Sequence, residues 1–226
     1  MSEISKPVVV LFDVDETLVH TGGSGARSWR AAFEKLYGIP ADIGAHTSAG
    51  ETDPEVARET FKAVLDRDPT DEEIDRVYAR YLLNLSEDIV VSEGYRVLPG
   101  ADACLARLSE AGVLLGLVSG AMEGAARTKL IPANLNRYFL FGAYGSDSPD
   151  RAELTGIAIE KASRLHAQLT PGQVFVVGDT PRDIDAASKA GAISVGVASG
   201  KFSVTDLSEA GADHVLSSLT ERFPGV

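Results

Sequence analysis

The run Val8-Val9-Val10-Leu11-Phe12, followed at once by Asp13-Val14-Asp15-Glu16-Thr17-Leu18, restricts this chain more than any other stretch. Five apolar residues without a polar break suit a strand of a parallel sheet, because helices cover both faces of such a strand. Two carboxylates at i and i+2 just past its carboxyl end share one side, toward the crevice where open α/β sheets take their ligands. Like charges held that close call for a counter-charge, and a divalent cation with oxygen ligands is the usual one. An Asp pair after a strand also serves to cap a turn, so the pair alone leaves the function open.

Two other apolar runs end in polar tips. Val174-Phe175-Val176-Val177 leads into Gly178-Asp179-Thr180-Pro181-Arg182-Asp183, and Leu114-Leu115-Gly116-Leu117-Val118 leads into Ser119-Gly120. Further strands are expected near Phe139 to Gly142, Ile193 to Val197 and His214 to Leu216. Helical patterns fall between them, at Pro99-Gly100 to Ala111, Met122 to Leu130, Arg151 to His166, Asp183 to Ala190 and Val204 to Ala210. Strands alternating with helices predict an α/β fold with a doubly wound, Rossmann-like parallel sheet.

The stretch from about 22 to 92 breaks that alternation and reads as helix throughout. Ser24 can cap a helix to Tyr37 that carries Trp29, Ala32, Phe33 and Leu36 on one face, with Gly38 as its stop. Asp53-Pro54 opens a second helix through Leu65, and Thr70-Asp71-Glu72-Glu73 reads as the capping box of a third. The glycines of His20-Thr21-Gly22-Gly23-Ser24-Gly25-Ala26-Arg27 suit a hinge better than a phosphate cradle, since the Gly-Lys-Ser/Thr of a P-loop is missing. Expected domains are therefore a Rossmann-like catalytic core of residues 1–20 and 93–226 and a helical cap of residues 21–92.

Composition narrows the partners. Against 33 Asp+Glu stand 21 Lys+Arg, a net charge of −12, which disfavours nucleic acid and anionic membranes. From His20 to Tyr95 the balance is 8 Lys+Arg to 15 Asp+Glu, so a cap built there favours a small substrate with a single phosphate over a multiply charged one. Apolar runs are strand-length and Met1 to Pro7 lacks the form of a signal peptide, which sets a soluble, cytoplasmic protein as the expectation. Cys104 is the single cysteine, read as a small core residue. His20, His46, His166 and His214 show no ligand spacing. A monomer is the default expectation, with a dimer left open.

Asp13-Val14-Asp15-Glu16-Thr17, Ser119, and Gly178-Asp179 with Asp183 resemble the first, second and fourth motifs of the haloacid dehalogenase superfamily, in order and separation, over nearly the whole chain. The resemblance implies a Mg²⁺-dependent phosphatase acting on a small organic phosphate monoester, such as phosphoglycolate or a sugar phosphate. Asp13 would be the nucleophile and Asp15 the acid/base. Asp13, the main-chain oxygen of Asp15, Asp179 and nearby Asp183 would hold the metal, and Ser119 would bind the phosphoryl group. Most members carry Lys-Pro in the third motif, where this chain reads Ser148-Pro149-Asp150-Arg151; Arg151 is assigned that charge, ahead of Lys161 and Lys129. Glu16, where glycine is commonest in the family, is given no role.

Gly22 to Arg27 with Ala49-Gly50-Glu51-Thr52-Asp53 is similar to cap entries of phosphoglycolate-phosphatase-like members. That similarity would turn Arg27, Gly50 and Thr52 toward the substrate; Thr17 after the first motif and Gly120 after the second are further substrate candidates. Two alternatives stand beside hydrolysis. One is a phosphotransferase or phosphomutase acting on a sugar phosphate, against which counts Gly25 at the place of the cap histidine in mutases of the β-phosphoglucomutase type. The other is a receiver-like switch that stays phosphorylated on Asp13.

Overall fold

In a computed structural model of the protein, residues 6–166 and 169–226 are described; the sequence reading of Met1 to Ser5 lies outside them. Six parallel strands form the main sheet. Strand β1 (Val9–Phe12) lies at its centre, between β4 (Leu114–Ser119) and β6 (Val174–Gly178). Outward from β4 comes β5 (Phe141–Tyr144), and outward from β6 come β7 (Ile193–Val197) and β8 (His214–Leu216), giving the order β5-β4-β1-β6-β7-β8. The chain thus winds one way from β1 and then the other. The reversal leaves a crevice at the carboxyl end of β1, the place where ligands bind in open sheets.

All of β1 and β6 is buried, as a strand covered on both faces requires. One face packs Val9, Leu11, Val118 and Val176 against Leu154, Ala158 and Ala162 of α6 (Arg151–Leu165). The other face packs Val10, Phe12 and Val177 with Leu105 and Leu108 of α4 (Ala101–Glu110) and Ala125, Ala126 and Leu130 of α5 (Glu123–Leu130). Cys104 is buried in α4, as expected. Helices α7 (Pro181–Lys189) and α8 (Val204–Glu209) complete the wrapping.

The insert holds α1 (Ser24–Tyr37), α2 (Asp53–Leu65) and α3 (Asp71–Asp88), with a short 3₁₀ turn at Ile43–Ala45. Its own core is aromatic: Trp29 stacks on Tyr81 with ring centroids 4.7 Å apart, and Phe61 meets Phe33 edge-on at 5.2 Å. The anticipated capping box of Thr70 with Glu73 forms, and α2 carries a second one, Thr52 with Glu55, that the sequence reading did not name. Ser24 is not the cap of α1; Gly23 holds that position in the left-handed region, φ 79°, and Ser24 is buried in the first turn.

Two strands escaped sequence reading. Antiparallel β2 (Val19–Thr21) and β3 (Tyr95–Val97) form the ribbon that carries the chain into the insert and back. Three residues are too few for a period-2 signal. Strand β5 starts at Phe141, two residues later than expected, because a 3₁₀ turn at Leu135–Tyr138 takes up the chain before it.

Candidate active site

At the switch point the strand tips meet in a cavity of about 170 Å³, walled by Asp13, Asp15, Glu16, Ser119, Gly120 and Asp179 from the sheet side and roofed by Ala49, Gly50 and Glu51 from the insert. Register explains the convergence. Phe12 pairs with both Leu117 of β4 and Val177 of β6, so residues one or two past each pair arrive at one level.

Asp13, Asp179 and Asp183 each present a carboxylate oxygen within 4.8 Å of the other two, all three being buried. Burial, with Asp183 and Asp15 nearby, outweighs Arg151 and pushes Asp13 up to about 7. Burial, then Asp183 and Asp13, pushes Asp179 up to about 8 against the Thr17 hydroxyl. Three carboxylates beside the one Arg151 guanidinium leave two negative charges without a partner when all are ionised. An all-oxygen donor set with that deficit fits a hard divalent cation.

Arg151, on the first turn of α6, supplies a fixed charge to the same cluster. Its Nη2 lies 3.0 Å from Asp13 Oδ2 and 2.5 Å from Asp183 Oδ1. Its Nε donates to Asp183 Oδ1 at 2.8 Å, and its Nη1 donates to the Gly50 carbonyl at 3.3 Å. One guanidinium therefore touches the nucleophile candidate, the α7 carboxylate and the roof, as its planar fork of donors allows. The α6 start is set by Asp150, whose carboxylate accepts from the amides of Ala152 and Glu153.

Asp183 Oδ2 accepts from the Thr180 amide at 3.0 Å and the Thr180 hydroxyl at 2.7 Å. Both of its oxygens are thus engaged before any ion arrives. Asp179 is freer, with Oδ1 taking a single hydrogen bond from the Thr17 hydroxyl at 3.2 Å. Ser119 is buried and accepts from the Ala121 amide at 3.3 Å, leaving its hydroxyl proton to donate into the cavity.

Several expected positions differ. The Asp15 side chain, expected to stay clear of the metal and free, is instead drawn to Lys129, whose Nζ donates to Oδ2 at 2.6 Å. Arg27 does not reach the cavity, being held by Asp88, Ser92 and the Gly22 carbonyl on the exposed side of the hinge. Thr52 spends its hydroxyl on the α2 capping box and on the Pro149 carbonyl at 3.2 Å. Thr17 acts through Asp179 without lining the cavity. Gly50 and Gly120 do line it. Glu16, left without a role, sits at φ 55° and brings its carboxylate within 2.5 Å of His20 Nδ1. That backbone conformation costs a residue with a Cβ about 1 kcal/mol, which accounts for a glycine preference at such a turn.

Lys129, set behind Arg151 for the third-motif charge, pairs with Asp15 instead, and Asp53 carries no role in the sequence reading. Lys129 is buried on the inner face of α5, with Ala125, Ala126 and Leu130. A lysine at an apolar-face position of a helix was the available signal. Burial pushes it toward neutrality, but Asp15, Tyr81 and Asp53 around it raise it above its usual value, so it stays an ammonium. Asp53, the first residue of α2, is buried and accepts from the Met122 amide at 2.8 Å.

A carboxylate cluster and one arginine at the switch point of a doubly wound sheet, beneath a helical insert, define a known class of enzymes. The family model for haloacid dehalogenase-like hydrolases matches residues 8–191, and the chain belongs to that family. It stands on the phosphoglycolate-phosphatase-like branch. The phosphoglycolate phosphatase of Rhodospirillum rubrum is 30% identical over 221 residues, covering 91% of this chain and 85% of that protein. Among solved structures, a predicted phosphatase from Clostridium acetobutylicum superposes with a TM-score of 0.73 at 20% identity, covering 96% of each chain. The β-phosphoglucomutase of Clostridium difficile superposes at 0.71 with 18% identity, covering 94% of this chain and 92% of that one. These two likenesses speak of the fold alone. No helix among the described residues is long and apolar enough to cross a membrane.

Proposed function

We propose that this enzyme is a Mg²⁺-dependent phosphatase that hydrolyses a small organic phosphate monoester through an aspartyl-phosphate on Asp13. The observation that carries the reading is the Asp13 carboxylate at the cavity floor, 3.0 Å from the Arg151 guanidinium and grouped with Asp179 and Asp183. Bound Mg²⁺, held by Asp13 and Asp179 with Asp183 beside them, would supply Lewis-acid neutralisation of phosphoryl charge.

The remaining work falls to the chain's own side chains. An Asp13 oxygen attacks phosphorus in line; the P–O bond to the alcohol breaks, and the Asp15 carboxyl gives its proton to the departing oxygen. Asp15 then takes a proton from the water that attacks the acyl phosphate, releasing inorganic phosphate and regenerating Asp13. Arg151 offsets the repulsion between nucleophile and phosphate, and the Ser119 hydroxyl donates to a phosphoryl oxygen.

Cavity size favours a small substrate. At about 30 Å³ per water in the liquid, the ≈ 170 Å³ available takes a phosphoryl group and a few more heavy atoms. Phosphoglycolate and small sugar phosphates are the compounds to try first. Hydrolysis is preferred to phosphoryl transfer because position 25 is a glycine, packed near the Tyr81 hydroxyl of the insert. Phosphate release from a panel of such esters is expected to require Mg²⁺ and to vanish in Asp13→Asn. Turnover that persists in that variant would refute the nucleophile assignment, and appearance of a transferred phosphate in place of free phosphate would favour the mutase.

A further inference from the structure

The acid/base aspartate of this site is held by a buried lysine that the third-motif charge does not account for. Lys129 leaves only 6% of its surface exposed, yet its Nζ reaches Asp15 Oδ2 at 2.6 Å. A lysine is almost never buried to that extent without a purpose-built partner. Its partner Asp15 follows β1, and the charges of Tyr81 and Asp53 in the insert act on the same ammonium. Helix α5 is gripped at its other end too, since Asp53 takes the Met122 amide just before it. Meanwhile Asp15 Oδ1 makes no hydrogen bond among the described residues, and the Asp15 side chain stays 42% exposed.

We propose that Lys129 is a positioning residue for proton transfer: it fixes Asp15 through Oδ2 so that Oδ1 alone meets the oxygen of the leaving alcohol. Arg151 and Lys129 then divide the work, the first on the nucleophile and the second on the acid. The proton moves from Asp15 Oδ1 to the alkoxide as the P–O bond breaks, and Lys129 neither gains nor loses one.

This inference rests on the phosphatase reading, and leaving-group chemistry separates the two. An alkyl phosphate needs its leaving oxygen protonated, whereas p-nitrophenyl phosphate leaves as a stable phenolate and needs little help. Alcohol release would be followed in single turnovers with Mg²⁺ on glycerol 2-phosphate and on p-nitrophenyl phosphate, for wild type, Asp15→Asn and Lys129→Met. Asp15→Asn is expected to slow the alkyl ester far more than the aryl ester. Lys129→Met is expected to show the same split, with a loss of about 10²-fold on the alkyl ester, the cost of a misplaced catalytic group, and under about threefold on the aryl ester. If Lys129→Met fails to fold, as read by circular dichroism, the near-isosteric Lys129→Gln takes its place. Equal losses on the two esters would mean that Lys129 only staples cap to core and would overturn the assignment. A wild type that releases neither alcohol would take down the phosphatase reading and this inference with it.

Discussion

Gly200 shows how little room the clustered carboxylates have. A Cβ there would lie 2.0 Å from Asp179 Oδ2 and 3.0 Å from Glu16 Cβ, so a methyl group must turn Asp179 out of the cluster. Gly178 guards Asp183 in the same way, with a Cβ falling 2.1 Å from its carboxyl carbon. Gly200→Ala is expected to cut kcat/KM for phosphate release by about 10²-fold, the typical cost of displacing a positioned group by an ångström. It should also raise the Mg²⁺ concentration needed for half-maximal activity. Unchanged Mg²⁺ dependence in that variant would show that Asp179 is not held against Gly200 as described. Gly178 already stood out within a motif, but nothing in the sequence around Gly200 marks it, because its constraint comes from Asp179, twenty-one positions earlier, folding against it.

Among the elements, α2 connects cap to core most directly. Its capping box is written locally in Thr52 and Glu55, and the turn before it places Gly50 and Glu51 over the cavity. Two backbone-level contacts fasten it: the Asp53 amide donates to the Gly120 carbonyl at 2.8 Å, and the Asp53 carboxylate takes the Met122 amide. Burial raises Asp53 to about 6, more than Lys129 and the Met122 amide can lower it. A raised carboxyl pKa favours the protonated fold, so this contribution is full below about pH 4 and is lost as pH rises through 6. Compared with Asp53→Asn, which keeps an acceptor for Met122, the wild type is expected to lose roughly 3 kcal/mol of relative stability between pH 4 and 7, at 1.36 kcal/mol per pKa unit. Urea denaturation of the two proteins across that range checks it; a difference that stays flat with pH would show that Asp53 is not buried in the way described.

Over the whole molecule, a chain of net charge −12 concentrates three buried carboxylates at one point against a single guanidinium. Such a fold gains stability from whatever cation it binds, by mass action. Mg²⁺ at a hundred times its dissociation constant contributes about 2.7 kcal/mol, which for a chain of this size is a rise in Tm of roughly 5–10 °C. Thermal melts with Mg²⁺, against NaCl of equal ionic strength, are expected to show that rise in the wild type and not in Asp179→Asn. An equal rise in both proteins would place the stabilising ion elsewhere.

The α/β alternation, the helical insert and the order of the acidic motifs were legible in the sequence because they depend on local patterns. Apolar runs such as Val8 to Phe12 demand burial, capping boxes mark helix starts, and three apolar runs that each end in a polar tip point to one shared sheet edge. Their type and place in a motif marked Asp13, Asp179 and Arg151 as candidates, and the fold brings the three together. What Arg151 touches, the pairing of Lys129 with Asp15 across 114 positions, the diversion of Arg27 to Asp88 and the space reserved beside Gly200 were decided by the tertiary structure alone. Each is a contact between segments distant in the chain, fixed by sheet register and by the seating of the cap, and no spacing along a single element encodes it.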